Sequence, residues 1–269
     1  MGTVDSGTNR FDRQLLMWDI KEQKCLENWH VLLIGSDGLC AEFAKAAIQC
    51  GVHHVTIVES ESVFCSVTDL SSHPFLSVCD VQDCKPRAEV LKSALQRLAP
   101  TTACIHLIET QVTVDDPQFS LEQLLDQVHP SHVFCSNSNL KLVADLSVLC
   151  DKEGCLLMCA KAGQDCGCYV VGPRANSSGW LLSFALASPI VPLSMELHGH
   201  LARQLPGVAA ILQRLPVTTS SPSAPTSIST TVTAASLFQE LIHSSTSNSP
   251  LPQNFFFFFD GINGYTEVL

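Results

Sequence analysis

The sequence predicts an α/β fold with a doubly wound, mostly parallel sheet, and three observations support this. Residues 31–42 read as a short buried strand, a glycine turn and the first turn of a helix. An acidic residue, Glu59, ends the next predicted strand about 20 residues later. Short apolar runs then alternate with helical patterns, which implies a buried parallel sheet. We therefore expect a Rossmann-like domain.

The individual elements follow from hydrophobic spacing and from glycine and proline signals. A helix is predicted over residues 10–29, where Asp12 could complement its first turn. Gly51 is a plausible stop for the helix that follows the glycine turn. The remaining pattern gives strands over 31–35, 54–58, 103–108, 132–135, 155–161 and 168–171, and helices over 39–50, 86–99, 121–128 and 140–152.

Three regions are predicted along the chain. Residues 10–174 form the Rossmann-like domain. Residues 175–233 are a shortened, partly disordered insert or linker, because 218–233 is rich in Ser, Thr and Pro and carries no charge. Residues 234–269 supply a helix and a phenylalanine-rich strand that returns to the core domain.

The glycine turn itself is degenerate. Loops that activate nucleotides run Gly-x-Gly-Gly-x-Gly, and here only Gly35 and Gly38 remain of those four glycines. Asp37 and Cys40 occupy the other two places. A carboxylate repels phosphate, and a Cβ atom prevents the close approach that glycine permits. The turn is therefore predicted to be vestigial.

Glu59 has two possible roles. An acid at this position usually holds a ribose hydroxyl of a bound cofactor. Alternatively, Glu59 is a solvated strand end, since Ser60 and Glu61 follow it. With two glycines of the turn replaced, we interpret Glu59 as a vestigial cofactor contact.

Charge and composition restrict the partners. The net charge is −11, with 15 basic against 26 acidic residues, and no basic run is present. This argues against nucleic acid and against anionic membrane surfaces. The longest apolar stretch, residues 180–193, is too short and too interrupted to span a bilayer. Proteins and small molecules remain the expected partners.

The cysteines are expected to be reduced core residues. The chain has 13 cysteines and begins with a polar segment that lacks an apolar signal region. Five of them cluster in sequence: Cys150, Cys155, Cys159, Cys166 and Cys168. Their spacing does not give the paired Cys-x-x-Cys ligands of zinc sites, so no metal site is predicted.

Three motifs stand out: Phe-Asp-Arg-Gln-Leu at residues 11–15 with Trp18, the segment 31–42, and Arg-Ala-Glu at 87–89. Together they resemble the ubiquitin-like-protein activating enzymes, which have a ThiF/MoeB-like adenylation fold. The resemblance implies that residues 10–174 are a pseudo-adenylation domain. More narrowly, the chain resembles the non-catalytic subunits of SUMO-activating enzymes, whose glycine loop is also degenerate. Residues 254–261 closely match the Asn-Phe-Phe-Phe-Phe-Asp-Gly close of those subunits, with one extra phenylalanine.

This resemblance implies a heterodimer with a catalytic subunit that adenylates SUMO and then carries it as a thioester. ATP and Mg would belong to the partner subunit, and this chain alone would bind no cofactor and have no activity. The family's active half carries Asp-x-x-Asp-Asn after the fourth strand, whereas residues 133–139 here lack both aspartates. Arg13 matches the arginine that contacts ATP in trans on the partner. A nuclear location, with some cytoplasmic protein, is implied as well.

Two alternatives stay open. The chain could be a pseudoenzyme module that pairs with an activating subunit without supporting turnover, since its middle is short. It could also be a nicotinamide-dependent oxidoreductase that uses Gly35, Gly38 and Glu59, although no clear Tyr/Lys or His catalytic pair is visible. Complex formation without activity would select the first, and cofactor binding by the isolated chain would select the second.

Overall fold

A computed structural model describes residues 8–110, 120–136, 140–163, 166–172, 225–246, 255–260 and 265–268. Its strands form one eight-stranded sheet with helices on both faces. The predicted fold class is therefore confirmed. Within these ranges, no helix is long and apolar enough to cross a membrane.

The sheet has the strand order β3-β2-β1-β4-β5-β6-β7-β8. The strands are β1 (His30–Ile34), β2 (His54–Glu59), β3 (Cys104–Glu109), β4 (His132–Cys135), β5 (Leu156–Ala162), β6 (Cys166–Gly172), β7 (Phe255–Asp260) and β8 (Tyr265–Val268). Strands β1 to β5 pair with one another in parallel. The pairs β5–β6, β6–β7 and β7–β8 are antiparallel. The order reverses between β1 and β4, which is where ligands bind in open α/β sheets.

Helices cover both faces of the sheet. They are α1 (Thr8–Phe11), α2 (Ile20–Glu27), α3 (Gly38–Cys50), α4 (Val78–Gln82), α5 (Arg87–Leu98), α6 (Leu121–Val128), α7 (Leu140–Glu153) and α8 (Ser227–Thr246), with short 3-10 turns at Gln14–Leu16 and Asp69–Ser71. Side chains of α3, α5 and α8 share one apolar core, and those of α6 and α7 share the other. Along β1, Val31 and Leu33 enter the first core, whereas Leu32 and Ile34 enter the second.

The predicted helix over residues 10–29 is wrong as a single element. It is broken into α1, a 3-10 turn and α2. The break has a local cause, because Asp19 accepts hydrogen bonds from the backbone N–H groups of Lys21 and Glu22 at 2.7 and 2.9 Å. Glu22 in turn accepts from the Asp19 N–H at 2.8 Å, which completes a capping box. Asp19, rather than Asp12, therefore starts a helix.

The predicted linker over residues 218–233 is also wrong at its end, because α8 already begins at Ser227. Ser and Thr usually disfavour helix interiors. Here their hydroxyls are satisfied inside the fold: Ser229 donates to the Gly163 carbonyl at 2.6 Å, and Thr233 donates to the Ser229 carbonyl at 2.7 Å. Burial of both side chains against the sheet explains why a polar sequence is helical.

The chain's last strands join the sheet from far away in sequence. β7 pairs with β6 along its length, with Tyr169 opposite Phe257, and β8 pairs with β7. The phenylalanine-rich segment is therefore a strand of the same sheet as β1. Most of the predicted insert, residues 175–224, lies outside the described residues.

Candidate functional site

The glycine turn lies between β1 and α3, at the carboxyl edge of the parallel strands. Gly35 has a φ of +111° and donates its N–H to the Val58 carbonyl at 2.9 Å. Gly38 is packed closely against the chain itself, since a Cβ atom there would lie 2.6 Å from the Ser72 backbone oxygen. Gly38 therefore permits close approach of the connection after β2 to the start of α3.

Asp37 occupies the N-terminus of α3. Its carboxylate accepts a hydrogen bond from the Cys40 N–H at 3.0 Å and caps the helix. Phosphates bind at this position in related folds, because the N–H groups and the helix dipole favour an anion there. In this chain the anion is supplied by its own aspartate.

Cys40 fills the space beneath the turn. Its side chain is fully buried and lies 3.3 Å from the Ser136 hydroxyl. Burial, with the nearby charge of Asp37, raises the pKa of the thiol well above its usual value. Cys40 is therefore a neutral packing residue rather than a nucleophile.

Glu59 is not the solvated strand end that was one of its two predicted roles. One carboxylate oxygen accepts from the Ser36 N–H at 3.1 Å and from the Ser36 hydroxyl at 3.2 Å. The same oxygen forms an ion pair with Arg87 Nη2 at 3.2 Å. With its side chain only 16% exposed, Glu59 is not a solvated strand end, and its hydrogen bonds are directed to the chain itself.

Arg87, at the start of α5, connects these acidic groups. Besides Glu59, its guanidinium contacts Asp69 Oδ1 at 3.0 Å and the Ser36 hydroxyl at 3.2 Å. Burial opposes the charge of Arg87, but Asp69, Asp37 and Glu59 outweigh this and raise its pKa further. Each partner comes from a different segment of the chain, so the network ties the turn, β2 and the following connection together.

His73 packs beside this network. It is 4% exposed, and its Nδ1 accepts from the Phe75 N–H at 3.2 Å. Burial, and then the nearby charge of Arg87, lower its pKa to about 4. The imidazole is therefore neutral near pH 7, and it adds no positive charge to a site that contains three carboxylates and one guanidinium.

The charged side chains at the carboxyl edge thus make their hydrogen bonds and ion pairs within the chain. We call Ser36, Asp37, Glu59, Asp69 and Arg87 the closed charge network. Sequence reasoning did not identify Ser36, Asp69 or His73, and it used Arg87 only as part of a motif. The pairing of Arg87 with the end of β2 could not be read from local spacing, because 28 residues separate Arg87 from Glu59.

Outside the closed charge network, a ligand could be held by a metal site, a surface groove or the segment after β4. Across the described parts of the chain, no group of three or more His, Cys, Asp or Glu side chains is arranged to hold a metal ion. An open groove of about 970 Å³ runs along the outer side of α5, between residues such as Phe64, Phe75 and Arg97. Its lining does not include the glycine turn. Of the segment that lacks the family's aspartates, residues 137–139 lie outside the described residues.

Arg13 lies at the opposite edge of the sheet. Its neighbours anchor this segment: Arg10 Nη2 donates to the Leu98 carbonyl at 2.6 Å, and Gln14 Nε2 donates to the Gln49 carbonyl at 3.1 Å. Both acceptors are at helix ends that lead into the amino ends of strands. Arg13 is exposed, and no described residue pairs with its guanidinium.

Three exposed apolar side chains follow Arg13 in the sequence. Leu16, Met17 and Ile20 are 86%, 82% and 63% exposed. Scattered apolar residues are common on protein surfaces, but three large ones within five positions form a patch that favours contact with another protein. The structure therefore places an unpaired cation and an apolar patch on one short segment.

Curated relatives share the predicted resemblance at modest identity. SUMO-activating enzyme subunit 1 of Dictyostelium discoideum is 28% identical over 154 residues, which covers 56% of this chain and 42% of the relative. The Homo sapiens protein of the same name is 26% identical over 152 residues, covering 56% and 40%. The matched region spans less than half the length of these relatives.

Solved structures show the same fold. Escherichia coli MccB in a crystal structure with MccA has a TM-score of 0.66 and 17% identity, covering 98% of this chain and 72% of MccB. PaaA has a TM-score of 0.66 and 12% identity, covering 100% and 85%. At these identities the likeness shows the architecture alone.

A model of the ThiF family matches residues 11–268. This match includes the glycine turn, the helices that bear Arg87 and Ser229, and the phenylalanine-rich strand. It agrees with the doubly wound sheet and with the curated relatives. The chain belongs to the ThiF family.

Proposed function

We propose that this chain is the non-catalytic subunit of a heterodimeric SUMO-activating enzyme. In this role it completes the ATP site of a catalytic subunit that adenylates SUMO and then carries it as a thioester. ATP and Mg are bound by that partner, and the chain has no activity alone. A nuclear location, with some cytoplasmic protein, belongs to the same proposal. Relatives named SUMO-activating enzyme subunit 1 support the choice of modifier.

The closed charge network supports the absence of a nucleotide site in this chain. A bound ATP would have to displace Asp37 from the end of α3 and Glu59 from Ser36 and Arg87. Displacing hydrogen-bonded, partly buried carboxylates costs free energy, and they would also repel the phosphates. The single observation that carries the proposal is therefore that this edge already contains its own anions.

The position of Arg13 supports a contribution in trans. It lies at the sheet edge away from Gly35, is exposed and has no described partner. A planar, permanently charged guanidinium is suited to stabilising phosphate charge across a subunit interface. The patch of Leu16, Met17 and Ile20 provides an apolar surface for holding such a partner close.

The test is SUMO-dependent ATP–pyrophosphate exchange by this chain co-purified with a SUMO-activating catalytic subunit. We expect exchange only when both chains are present. We expect Arg13→Ala to lower exchange by about ten- to a thousand-fold without dissociating the complex, because arginine fingers contribute on that order or more. Exchange that is unchanged in Arg13→Ala would contradict the role of Arg13.

Two matched variants sharpen this test. Arg13→Lys keeps the charge but loses the planar fork, so it should recover only part of the exchange. Lys21→Ala removes an exposed cation from the nearby α2 and should leave exchange unchanged. If Lys21→Ala were as damaging as Arg13→Ala, the effect would reflect general surface charge rather than a specific contact.

A pseudoenzyme module is the second candidate, because the exposed apolar patch beside Arg13 fits binding to a partner with or without turnover. Such a module would bind an activating subunit through this surface without supporting turnover. Co-purification without exchange would select it. Substituting Leu16 and Met17 with serine should then weaken the complex.

The oxidoreductase alternative has less support. It requires Glu59 to hold a ribose, whereas Glu59 is bonded to Ser36 and Arg87. We expect the isolated chain not to bind NAD or NADP at millimolar concentration, as measured by calorimetry. Failure to form any complex with a SUMO-activating subunit, together with measurable cofactor binding, would reverse this ranking.

A further inference from the structure

The C-terminal end of α7 brings two cysteines into contact. The N–H of Cys155 donates to the carbonyl of Cys150 at 2.9 Å, and the N–H of Gly154 donates to the carbonyl of Asp151 at 3.3 Å. Gly154 has a φ of +72°. This is the Schellman arrangement, in which the side chains at the positions of Cys150 and Cys155 normally make an apolar contact. Here both side chains are thiols.

The two residues are in direct contact. The Cys155 thiol donates a hydrogen bond to the Cys150 carbonyl oxygen at 3.6 Å, and each side chain influences the acidity of the other. Because a backbone hydrogen bond joins the two residues, their Cα atoms are held close, and disulfides span Cα separations of about 4.4–6.8 Å.

Cys150 and Cys155 differ in their exposure to solvent. Cys150 is 2% exposed, whereas Cys155 is half-buried and reachable from solvent. Cys155 precedes β5, which begins at Leu156, so the predicted placement of Cys155 within that strand is wrong. Instead it lies in the turn between α7 and β5.

We propose that Cys150 and Cys155 form a redox-active dithiol that hydrogen peroxide converts to an intramolecular disulfide. The Cys155 thiolate attacks the peroxide, the O–O bond breaks, and Cys155 becomes a sulfenic acid while hydroxide takes up a proton to leave as water. The Cys150 thiol then attacks the sulfenic sulfur, forms the S–S bond and releases a second water. Two thiols are oxidised, and one peroxide is reduced to two waters.

The electrostatics agree with this order of events. The hydrogen bond from the Cys150 thiol, with the backbone N–H, holds the pKa of Cys155 below its usual value despite partial burial. The same pairing and deeper burial raise the pKa of Cys150. Because Cys155 is also the more exposed of the two, it is the attacking thiolate, and Cys150 is the resolving thiol.

The remaining buried thiols limit where the disulfide forms. Cys135 and Cys159 face each other in register on β4 and β5, and both lie in the same core as Cys150. Burial raises the pKa of Cys159 well above its usual value, so it is a poor thiolate. Neither shares the exposure of Cys155, which makes Cys155 the point of entry for the oxidant.

The test uses the full chain, treated with a small excess of hydrogen peroxide, freed of peroxide, then denatured so that buried Cys150 becomes accessible, alkylated and mapped by mass spectrometry. We expect two alkylatable thiols to be lost, a cross-link between the peptides of Cys150 and Cys155, and reversal by dithiothreitol. Cys25, an exposed cysteine on α2, is the internal comparison and should give no cross-link to either of them. Cys25→Ser should leave the product unchanged.

Variants separate the two roles. Cys150→Ala should leave Cys155 as a sulfenic acid that dimedone traps, whereas Cys155→Ser should leave Cys150 alkylatable after peroxide. Circular dichroism of each variant checks that it has folded. The disulfide mapped in the wild-type chain tests the proposal even if a variant does not fold. Oxidation of Cys25 shows that enough peroxide was added. The proposal would be overturned if Cys150 and Cys155 were both still alkylated under those conditions, or if Cys150 were cross-linked to Cys135 instead.

Discussion

The two edges of the parallel sheet differ in how their polar groups are satisfied. At the carboxyl edge, Asp37, Glu59 and Arg87 bond to the chain itself. At the amino edge, Arg13 is exposed and no described residue pairs with it. The comparison shows that the polar groups beside the altered glycine turn are satisfied within the chain, whereas the guanidinium of Arg13 is not.

The largest loss of stability at the carboxyl edge is expected when the packing of Gly38 is disturbed. In Gly38→Ala, the new Cβ would meet the Ser72 backbone oxygen at 2.6 Å, and a backbone neighbour cannot easily move. We expect the free energy of unfolding to fall by about 3 kcal/mol, at the upper end for overpacking. Urea unfolding measures it.

Gly154→Ala is the matched control for that prediction. Gly154 has a φ of +72° but nothing within 4 Å of its added Cβ, so only backbone strain of about 1–2 kcal/mol is expected. Equal losses for the two variants would show that the contact between Gly38 and Ser72 does not hold the carboxyl edge closed.

The next largest effect should come from Arg87→Met, which leaves Glu59 and Asp69 without their cation. Breaking a fully buried pair costs about 3–5 kcal/mol, and partial exposure reduces this to about 2–3 kcal/mol. Lys85→Met, which breaks an exposed pair with Asp80, should change stability little. Adding Glu59→Gln to Arg87→Met should recover part of the loss, and no recovery would mean that Glu59 does not depend on Arg87.

A loss of stability of similar size is expected in acid, through His73. Its pKa is about 4 in the fold against 6.5 when unfolded, so below pH 6.5 the unfolded chain binds a proton that the native chain excludes. Stability should therefore fall by about 2–3 kcal/mol between pH 6.5 and 4, at up to about 1.4 kcal/mol per unit.

His73→Gln should flatten that part of the pH profile. Burial also lowers the pKa of His132 to about 4, so some dependence should remain in the variant. Urea unfolding at several pH values provides the measurement. A profile identical to that of the wild type would show that folding does not change the pKa of His73.

The smallest effect on stability should come from the amino edge. Arg13→Ala removes an exposed side chain with no described partner, so the free energy of unfolding should stay within about 0.5 kcal/mol. Thermal unfolding of the isolated chain checks this. A larger loss would mean that Arg13 stabilises its own chain, and the contrast between the two edges would disappear.

Local patterns predicted most of the sheet because each strand is short, apolar and flanked by turn signals. The strands around Val31, Val55 and Val133 and the helix stop at Gly51 are confirmed. The same patterns missed the capping box of Asp19 and the early start of α8, since both depend on hydrogen bonds rather than hydrophobic spacing.

The site was less predictable than the fold. Substituted glycines indicated an altered turn, but the fate of Glu59 depended on Arg87, which lies on another helix. A carboxylate at a strand end can bind a ribose, water or an arginine, and only the three-dimensional arrangement decides among them.

The placement of β7 has a consequence for how the protein is made. β6 is complete at Gly172, but its antiparallel neighbour begins only at Phe255. Until the ribosome has added that segment, the edge of β6 has no partner of its own and can pair with another chain. Folding of this half of the sheet must then wait for distant residues, which favours slow folding.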